Sequence, residues 1–336
     1  MTPSHESAFD DIMKMARGFQ AAKMLAVAVD LGLFDFLEER RSAPEVAAWA
    51  KADDRAMNIF LNGVAALGLL VKVVDYFHNS EAASRYLVRN KEDYRGAIIS
   101  HIHHTMRGWA NLEQTVLIGH PPDLDPQRWV DREERDESEV AAFIWGMDAI
   151  ARDLAPKVAK LLDLSRVRRL LDLGGGPATY AITFVRANPE LKATVFDLPG
   201  PIKIARENIA RHGLSDGIDT LAGNFLKDSI GAGYDFIWVS QILHSHDEAQ
   251  CRLILKKVVD ALVPGGTVAI QDFYLNDDGV CPPGAAMFSV HMLAVTPRGR
   301  AYYHKEVAQW LEEAGLDPPV HLKSSPEASI LVARKK

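Results

Sequence analysis

The chain has 336 residues, nearly half of them apolar, and a formal charge of −7. That length implies two domains with a substantial core, and the negative balance argues against a nucleic-acid or anionic-membrane partner. The two cysteines, Cys251 and Cys281, form no CxxC pair, the N-terminus lacks an apolar signal-peptide core, and no apolar run nears the ~20 residues of a membrane span, so the expectation is a soluble protein in a reducing cytoplasm.

In chain order, residues 9–37 read as a helix, with Ile12, Met15, Phe19, Ala22 and Leu25 at spacings of three and four. Ser42 and Glu45 form a capping box with Pro44 in the first turn. A second cap at Asp53 or Asp54 opens a helix whose face is Met57, Phe60, Leu61, Val64 and Leu67. A hairpin pattern follows in "GLLVKVVDYFHN", then a short helix. Helix, turn, helix and hairpin is the plan of a winged helix. Between 42 and 70 the bases Lys51 and Arg55 face the acids Glu45, Asp53 and Asp54, a balance of 2 − 3 = −1. A phosphate-binding stripe is therefore missing, and a DNA-binding regulator that senses a nucleoside is the disfavoured reading.

Residues 95–120 read as helical, "GHPPDLDP" as a loop and "DREERDESE" as a solvated helix start. From residue 168 short β-rich runs alternate with helices: "RRLLDLG", "KATVFDL", "IDTLAGN", "YDFIWVSQ" and "TVAIQDF". Such alternation implies a parallel sheet covered on both faces, and the tail reads as two strands joined by a tight turn.

The first of these strands ends in Asp172 and runs into Gly174, Gly175 and Gly176. Parallel α/β sheets bind ligands beyond the C-terminal strand ends, and glycines let a ligand approach the backbone. Asp197, at the next strand end, can accept hydrogen bonds from both hydroxyls of a ribose. The dinucleotide fingerprint fails because its sixth position is Thr179. A carboxylate at 172 suits a cationic tail rather than a pyrophosphate. S-adenosylmethionine has both a ribose and a cationic amino-acid tail.

His244 follows the fourth strand on the ligand side of the sheet, where it can serve as a general base. A phenol with a pKa of about 10 facing a histidine of about 6.5 leaves a gap of about 3.5 units, which a nearby sulfonium charge narrows. An acid on the far ring nitrogen would fix the tautomer. His246 reads as a helix-turn residue. His244, His246 and Asp247 also allow a zinc reading, but no third ligand is fixed by spacing, and no metal is expected.

Taken together, these motifs resemble the class I O-methyltransferases that include the caffeate, acetylserotonin and bacterial polyketide enzymes. The likeness spans nearly the whole chain, from "LGLFDFLEE" and "WANLEQTVLIGHP" to "LLDLGGGPATYAITF", "ILHSHDEAQC", "LVPGGTVAIQD" and "MLAVTPRGRAYYHKEVAQWLEEAGL". It implies a Rossmann-like α/β methyltransferase sheet over 106–336 with its linking helices, preceded at 1–105 by a mostly α winged-helix domain that forms a homodimer. The implied cofactor is S-adenosylmethionine, held by Asp172, Gly174, Gly175, Gly176 and Asp197, with Asn224, Phe225 and Ser240 beside it. The implied base is His244, oriented by Asp272 or Glu306. The family's linking helices and pocket imply His101, His104, Trp145, Met147, Met287 and His291 as acceptor contacts. Two departures stand out. Ala178 replaces the last loop glycine, where a methyl at a helix start is a small addition. Ala301, Tyr302 and Tyr303 replace the Glu, Arg and Thr of the family's "GRERTxxE", which opens an alternative in which the cofactor is kept and N-, C- or S-methylation, or a non-methylating reaction, proceeds without His244 as base.

Overall fold

The structure is a computed structural model and describes residues 5–124 and 137–336. The charge run expected to start a helix lies largely outside the described residues. The chain divides into two compact units, Met1–His104 and Thr105–Lys336.

In the first unit, the long helix His5–Asp30 ends where Gly32 takes a left-handed φ of 71°, and a short helix, Leu33–Phe36, follows. The single helix read over 9–37 is therefore two. The Ser42–Glu45 capping box opens helix Ala43–Ala50, and Asp53, rather than Asp54, caps helix Asp54–Ala66 by accepting from the Ala56 N–H at 2.8 Å. Strands β1 (Arg41–Ser42), β2 (Leu70–Val73) and β3 (Tyr76–Asn79) form an antiparallel sheet in the order β1-β3-β2, which completes the winged-helix plan. Its core gathers Val29, Phe34, Leu37, Val46, Leu61 and Phe77.

The second unit holds a seven-stranded sheet built from β4 (Arg169–Leu173), β5 (Lys192–Asp197), β6 (Ile218–Ala222), β7 (Tyr234–Ser240), β8 (Leu262–Asp272), β9 (Val320–Lys323) and β10 (Ser329–Arg334). The spatial order is β6-β5-β4-β7-β8-β10-β9. The first five are parallel, and β10 pairs antiparallel with both β8 and β9. The chain direction reverses across the sheet between β4 and β7, which opens a crevice at their C-terminal ends.

Strand alternation decides which side chains meet there. Leu171, Leu173, Ile237, Val239, Val268 and Ile270 pack on one face against helix Glu248–Ala261 and helix His304–Glu313. Leu170, Phe236, Trp238 and Ala269 pack on the other, against helices Glu137–Leu161, Thr179–Ala187 and Pro199–Arg211. Asp172 shares the Leu170 face, so an acid points into the side covered by the glycine loop's own helix. Each apolar side chain fully buried in these layers contributes roughly 1.5–3 kcal/mol. Such packing makes the sheet a rigid platform for its terminal loops.

Helix Pro199–Arg211 braces the glycine loop directly. Asn208 is buried and donates from Nδ2 to the Pro177 carbonyl at 2.8 Å. Asn208→Ala leaves that carbonyl unpaired, and the expected cost is about 2 kcal/mol of stability, read as a lower midpoint in denaturant unfolding. An unchanged midpoint would show that the brace carries no stability.

Candidate active site

The loop after β4 is shaped by backbone that few side chains allow. Gly174 has φ 70° and Gly176 has φ 51°. A Cβ on Gly174 would sit 2.3 Å from Ile242 Cδ1 and within 4.0 Å of Phe225, whereas one on Gly176 would meet only Ile144, at 3.8 Å. The first glycine thus permits close packing against the loop after β7, and the third leaves a cradle open. Ala178 is a further left-handed residue, φ 66°, at the N-cap of helix Thr179–Ala187. The expectation of a small addition at a helix start needs correction: the residue occupies a conformation that glycine favours, and its methyl is wholly buried in the core.

Asp172 is 1% exposed, and its Oδ2 accepts from the Ala181 N–H at 3.2 Å. Burial raises its pKa to about 7; the Ala181 bond opposes this and the Asp197 charge adds to it. Its carboxyl lies beneath the glycine loop, where a Cβ on Gly175 would come within 2.9 Å of Asp172 Oδ2. Asp197 is half-buried. Its Oδ2 accepts from the Gly176 N–H at 2.8 Å and its Oδ1 from the Leu198 N–H at 2.7 Å. Burial raises it to about 6, against those two backbone bonds. Two adjacent acids are thus held below the crevice with backbone amides, not side-chain cations, opposing their shifts.

Asn224 accepts from the Leu226 N–H at 2.9 Å through Oδ1, which turns the loop after β6. Phe225 lies across from Gly174 and meets the His246 ring edge-on at 5.5 Å. Lys257, unmarked by any motif, ties this loop down by donating to the carbonyls of Phe225 (2.8 Å) and Asp228 (2.7 Å). Ser240 ends β7 opposite Gln271, and Gln271 donates from Nε2 to the Tyr180 hydroxyl at 3.2 Å.

His244 lies in the single 3-10 turn Leu243–Ser245 and is 7% exposed. Its Nδ1 meets Asp272 Oδ1 at 2.7 Å, and its backbone N–H donates to Oδ2 at 3.3 Å. The Phe273 N–H also donates to Asp272 Oδ1, at 2.8 Å. Asp272 is buried at 3% exposure, accepts from two backbone N–H groups and has His244 Nδ1 as its third polar neighbour. Glu306, the other expected orienting acid, is engaged elsewhere: it accepts from Arg300 at 2.7 and 3.0 Å and from the Tyr303 N–H at 2.8 Å. Its pairing with Arg300 and its helix-capping bond explain that placement.

The Ala-Tyr-Tyr departure has a structural part. Tyr302 is buried under the Arg300 guanidinium and donates its hydroxyl to the His246 carbonyl at 2.5 Å. Gly299 approaches the same turn so closely that a Cβ would lie 2.3 Å from the His244 carbonyl oxygen. Together they clamp the turn that carries His244. His246 is pushed down to about 4 by burial, and its Nδ1 faces Gln250. Asp247 caps the next helix by accepting from the Gln250 N–H at 2.9 Å.

Of the expected acceptor contacts, His291 joins the His244 cluster: its ring is 5.9 Å from Phe288, which packs edge-on to His244 at 4.8 Å. Met287 instead is 61% exposed on helix Pro283–Val295. Trp145 lies beneath Arg211, whose guanidinium stacks at 5.3 Å, so it packs on helix Pro199–Arg211. Met147 is half-buried. On the same helix Ile144 and Asp148 reach the loop region: Asp148 accepts from the Thr179 hydroxyl at 2.6 Å. His101 and His104 fall in the first unit.

With this geometry in place, likeness to known proteins decides the family. An O-methyltransferase domain model matches residues 127–317, and an O-methyltransferase dimerisation domain model matches 13–89. The chain belongs to the O-methyltransferase family. A curated relative from Streptomyces sahachiroi, a 3-hydroxy-5-methyl-1-naphthoate 3-O-methyltransferase, is 36% identical over 96% of this chain and 94% of its own. The N,N-dimethyltransferase OxyT of Streptomyces rimosus is 29% identical over 78% of this chain and 77% of its own. The structure of human N-acetylserotonin methyltransferase in complex with SAM shares the fold, with a TM-score of 0.87 at 24% identity, 100% of this chain and 99% of that one being covered. The protein is an S-adenosylmethionine-dependent methyltransferase. Among the described residues no helix is long and apolar enough to cross a membrane.

The residues fit that donor. The cradle at Gly176 is one a side chain would narrow, Asp197 would offer carboxylate acceptors to a diol, and the buried Asp172 and half-buried Asp197 would supply the potential that a cationic sulfonium and ammonium require.

Two outcomes follow. Because both acids have pKa values raised above the usual carboxylate range, to about 7 and about 6, the donor-free protein holds protons there that a cationic ligand displaces. Their contribution to donor-free stability is full below the unfolded carboxylate pKa and is lost as pH rises through about 6–7. The melting-temperature gain on adding S-adenosylmethionine should accordingly be larger at pH 7.5 than at 5.5; an equal or reversed gain would contradict the assignment. Asp197→Ala should weaken donor binding roughly 100-fold by calorimetry, the loss of two hydrogen bonds to a charged acceptor. Affinity within threefold of the parent would remove Asp197 from the site.

Proposed function

We propose that this methyltransferase transfers its methyl group to a hydroxyl of a small aromatic or polyketide-like acceptor, as a cytoplasmic homodimer, with His244 as general base. The observation that carries the reading is the 2.7 Å contact between His244 Nδ1 and buried Asp272. A carboxylate can only accept there, so Nδ1 carries the proton and Nε2 presents a lone pair. The naphthoate O-methyltransferase relative supports an aromatic acceptor.

Asp197 and the Gly174–Gly176 loop would hold the donor, with Phe225 and Asn224 on its nucleoside side and Asp172 adding charge from beneath. When bound, S-adenosylmethionine supplies an electrophilic methyl on a sulfonium. His244 Nε2 takes the hydroxyl proton as the new O–C bond forms and the S–C bond breaks, leaving the thioether and a methyl ether. Asp272 holds the imidazole in plane and stabilises the imidazolium. Phe288 and Phe273, with rings 4.2 Å apart, keep water from the base. Most of the acceleration comes from this positioning.

The homodimer reading rests on the dimerisation-domain match and on helix His5–Asp30, which exposes Phe9, Ile12, Met15 and Phe19 along one stripe. A stripe of that size calls for a partner surface.

OxyT, a relative named for N,N-dimethylation, keeps a second reading in view, in which a nitrogen is methylated and a strong base is dispensable. His244→Ala separates the two. Hydroxyl methylation predicts a fall in kcat of roughly 10²–10⁴-fold with donor affinity unchanged by calorimetry. Retained turnover would exclude His244 as the base.

A further inference from the structure

His244 is not the only imidazole whose protonation the structure dictates. Trp109 Nε1 lies 3.1 Å from His291 Nδ1. An indole N–H can only donate, so that ring nitrogen must be the acceptor, and the proton of the neutral ring sits on Nε2. Protonating both nitrogens would set two N–H groups against each other. Burial and the neighbouring His244 both lower the pKa of His291, which keeps it neutral.

The arrangement is built rather than incidental. The Trp109 and His291 rings stack at 6.1 Å with 24° between their planes. Gly108, next to Trp109, lies where a Cβ would be 2.4 Å from the Ala294 carbonyl oxygen. That close approach seats the indole against the imidazole. Phe288 joins the two histidines, 4.8 Å from one ring and 5.9 Å from the other. The two imidazoles therefore carry opposite polarity: His244 a lone pair at Nε2, His291 an N–H at Nε2.

We propose that His291 is a specificity-determining hydrogen-bond donor, which selects acceptors bearing a second, neutral oxygen near the hydroxyl that is methylated. This deepens the O-methylation reading and rests on it. The second oxygen is a hydroxyl or carbonyl rather than a carboxylate, because buried Asp272 already places one negative charge beside His244. An acceptor without that oxygen leaves the N–H unpaired among aromatic rings, an omission that sites built for hydrogen bonding punish.

Two measurements test this on the full-length protein. Nitrogen-15 NMR of the imidazoles should show the proton on Nδ1 of His244 and on Nε2 of His291, with Trp109→Phe releasing His291 into a mixture. A proton on Nδ1 of parental His291 overturns the proposal. In methyl-transfer assays, kcat/KM for 2,3-dihydroxynaphthalene should exceed that for 2-naphthol by roughly 10- to 100-fold, mostly through KM, as expected for one lost hydrogen bond. His291→Phe should bring the two within about threefold, chiefly by slowing the diol, and His291→Asn, which restores a donor, should recover part of the preference. Equal parental rates, or an equal loss on both substrates in His291→Phe, overturns it. If donor binds and neither these nor other hydroxyarenes are methylated, O-methylation itself fails and the preference with it, while the tautomer result still reports the hydrogen bond.

Discussion

Two carboxylates with raised pKa values at neighbouring strand ends, buried Asp172 and half-buried Asp197, are the constraint on which the proposed donor half of the site depends. Strand alternation turns Asp172 to the face covered by helix Thr179–Ala187, where burial lifts it to about 7. Asp197, one strand over, is held by the Gly176 and Leu198 amides. Neither arrangement is favourable for an empty pocket, since a charge without a counter-charge is costly away from water. A cationic nucleoside relieves that cost, so binding and local stability are coupled. The glycines are secondary to this: they let the loop fold back until its amide reaches Asp197.

The chemical half is built on the other side of the sheet's reversal point, and its problem is rigidity. A histidine carried on a single 3-10 turn, as His244 is, has little local support. Here the support comes from three directions: Asp272 from β8, Gly299 packed on the turn's backbone, and Tyr302 bonded to the His246 carbonyl. Tyr302 and Ala301 stand where the family pattern has Arg and Glu. The acid in contact with the histidine is instead Asp272, and the tyrosine is a strut bonded to the His246 carbonyl. A motif departure that looked like a threat to the base turns out to hold its backbone.

Much of this was legible in the residues themselves. The alternation of apolar runs marked the parallel sheet, Ser42–Glu45 marked a helix start, and Asp172, the glycines, Asp197 and His244 were placed by their positions at strand ends. What could not be read were contacts between segments distant in the chain. Asn208 to Pro177, Lys257 to Phe225 and Trp109 to His291 join residues 31, 32 and 182 apart, and no local spacing encodes them. The same limit applies to Trp145, which packs under Arg211, and to Met287, exposed on a helix that is apolar nearly all round: local spacing does not give the neighbours of either. Ala178 was misjudged for another reason: a substitution pattern shows which atom is added, not that the backbone beneath it has φ 66°.

The separation between the halves has a consequence for the family's chemical range. In the proposed site the donor would be held by the glycine loop and two acids, a set that asks nothing of the acceptor. The proposed acceptor would meet side chains that follow β7, end β8 and line helix Pro283–Val295, where a single exchange would alter proton demand without disturbing the cradle. Relatives named for O- and N-methylation can therefore share one donor site. In this chain the acceptor side is specialised by polarity: Asp272 can only accept and Trp109 can only donate, so each fixes its imidazole in the opposite sense. On the proposed mechanism neither partner touches the reacting atoms, yet together they would set which ring nitrogen takes a proton and which one offers it.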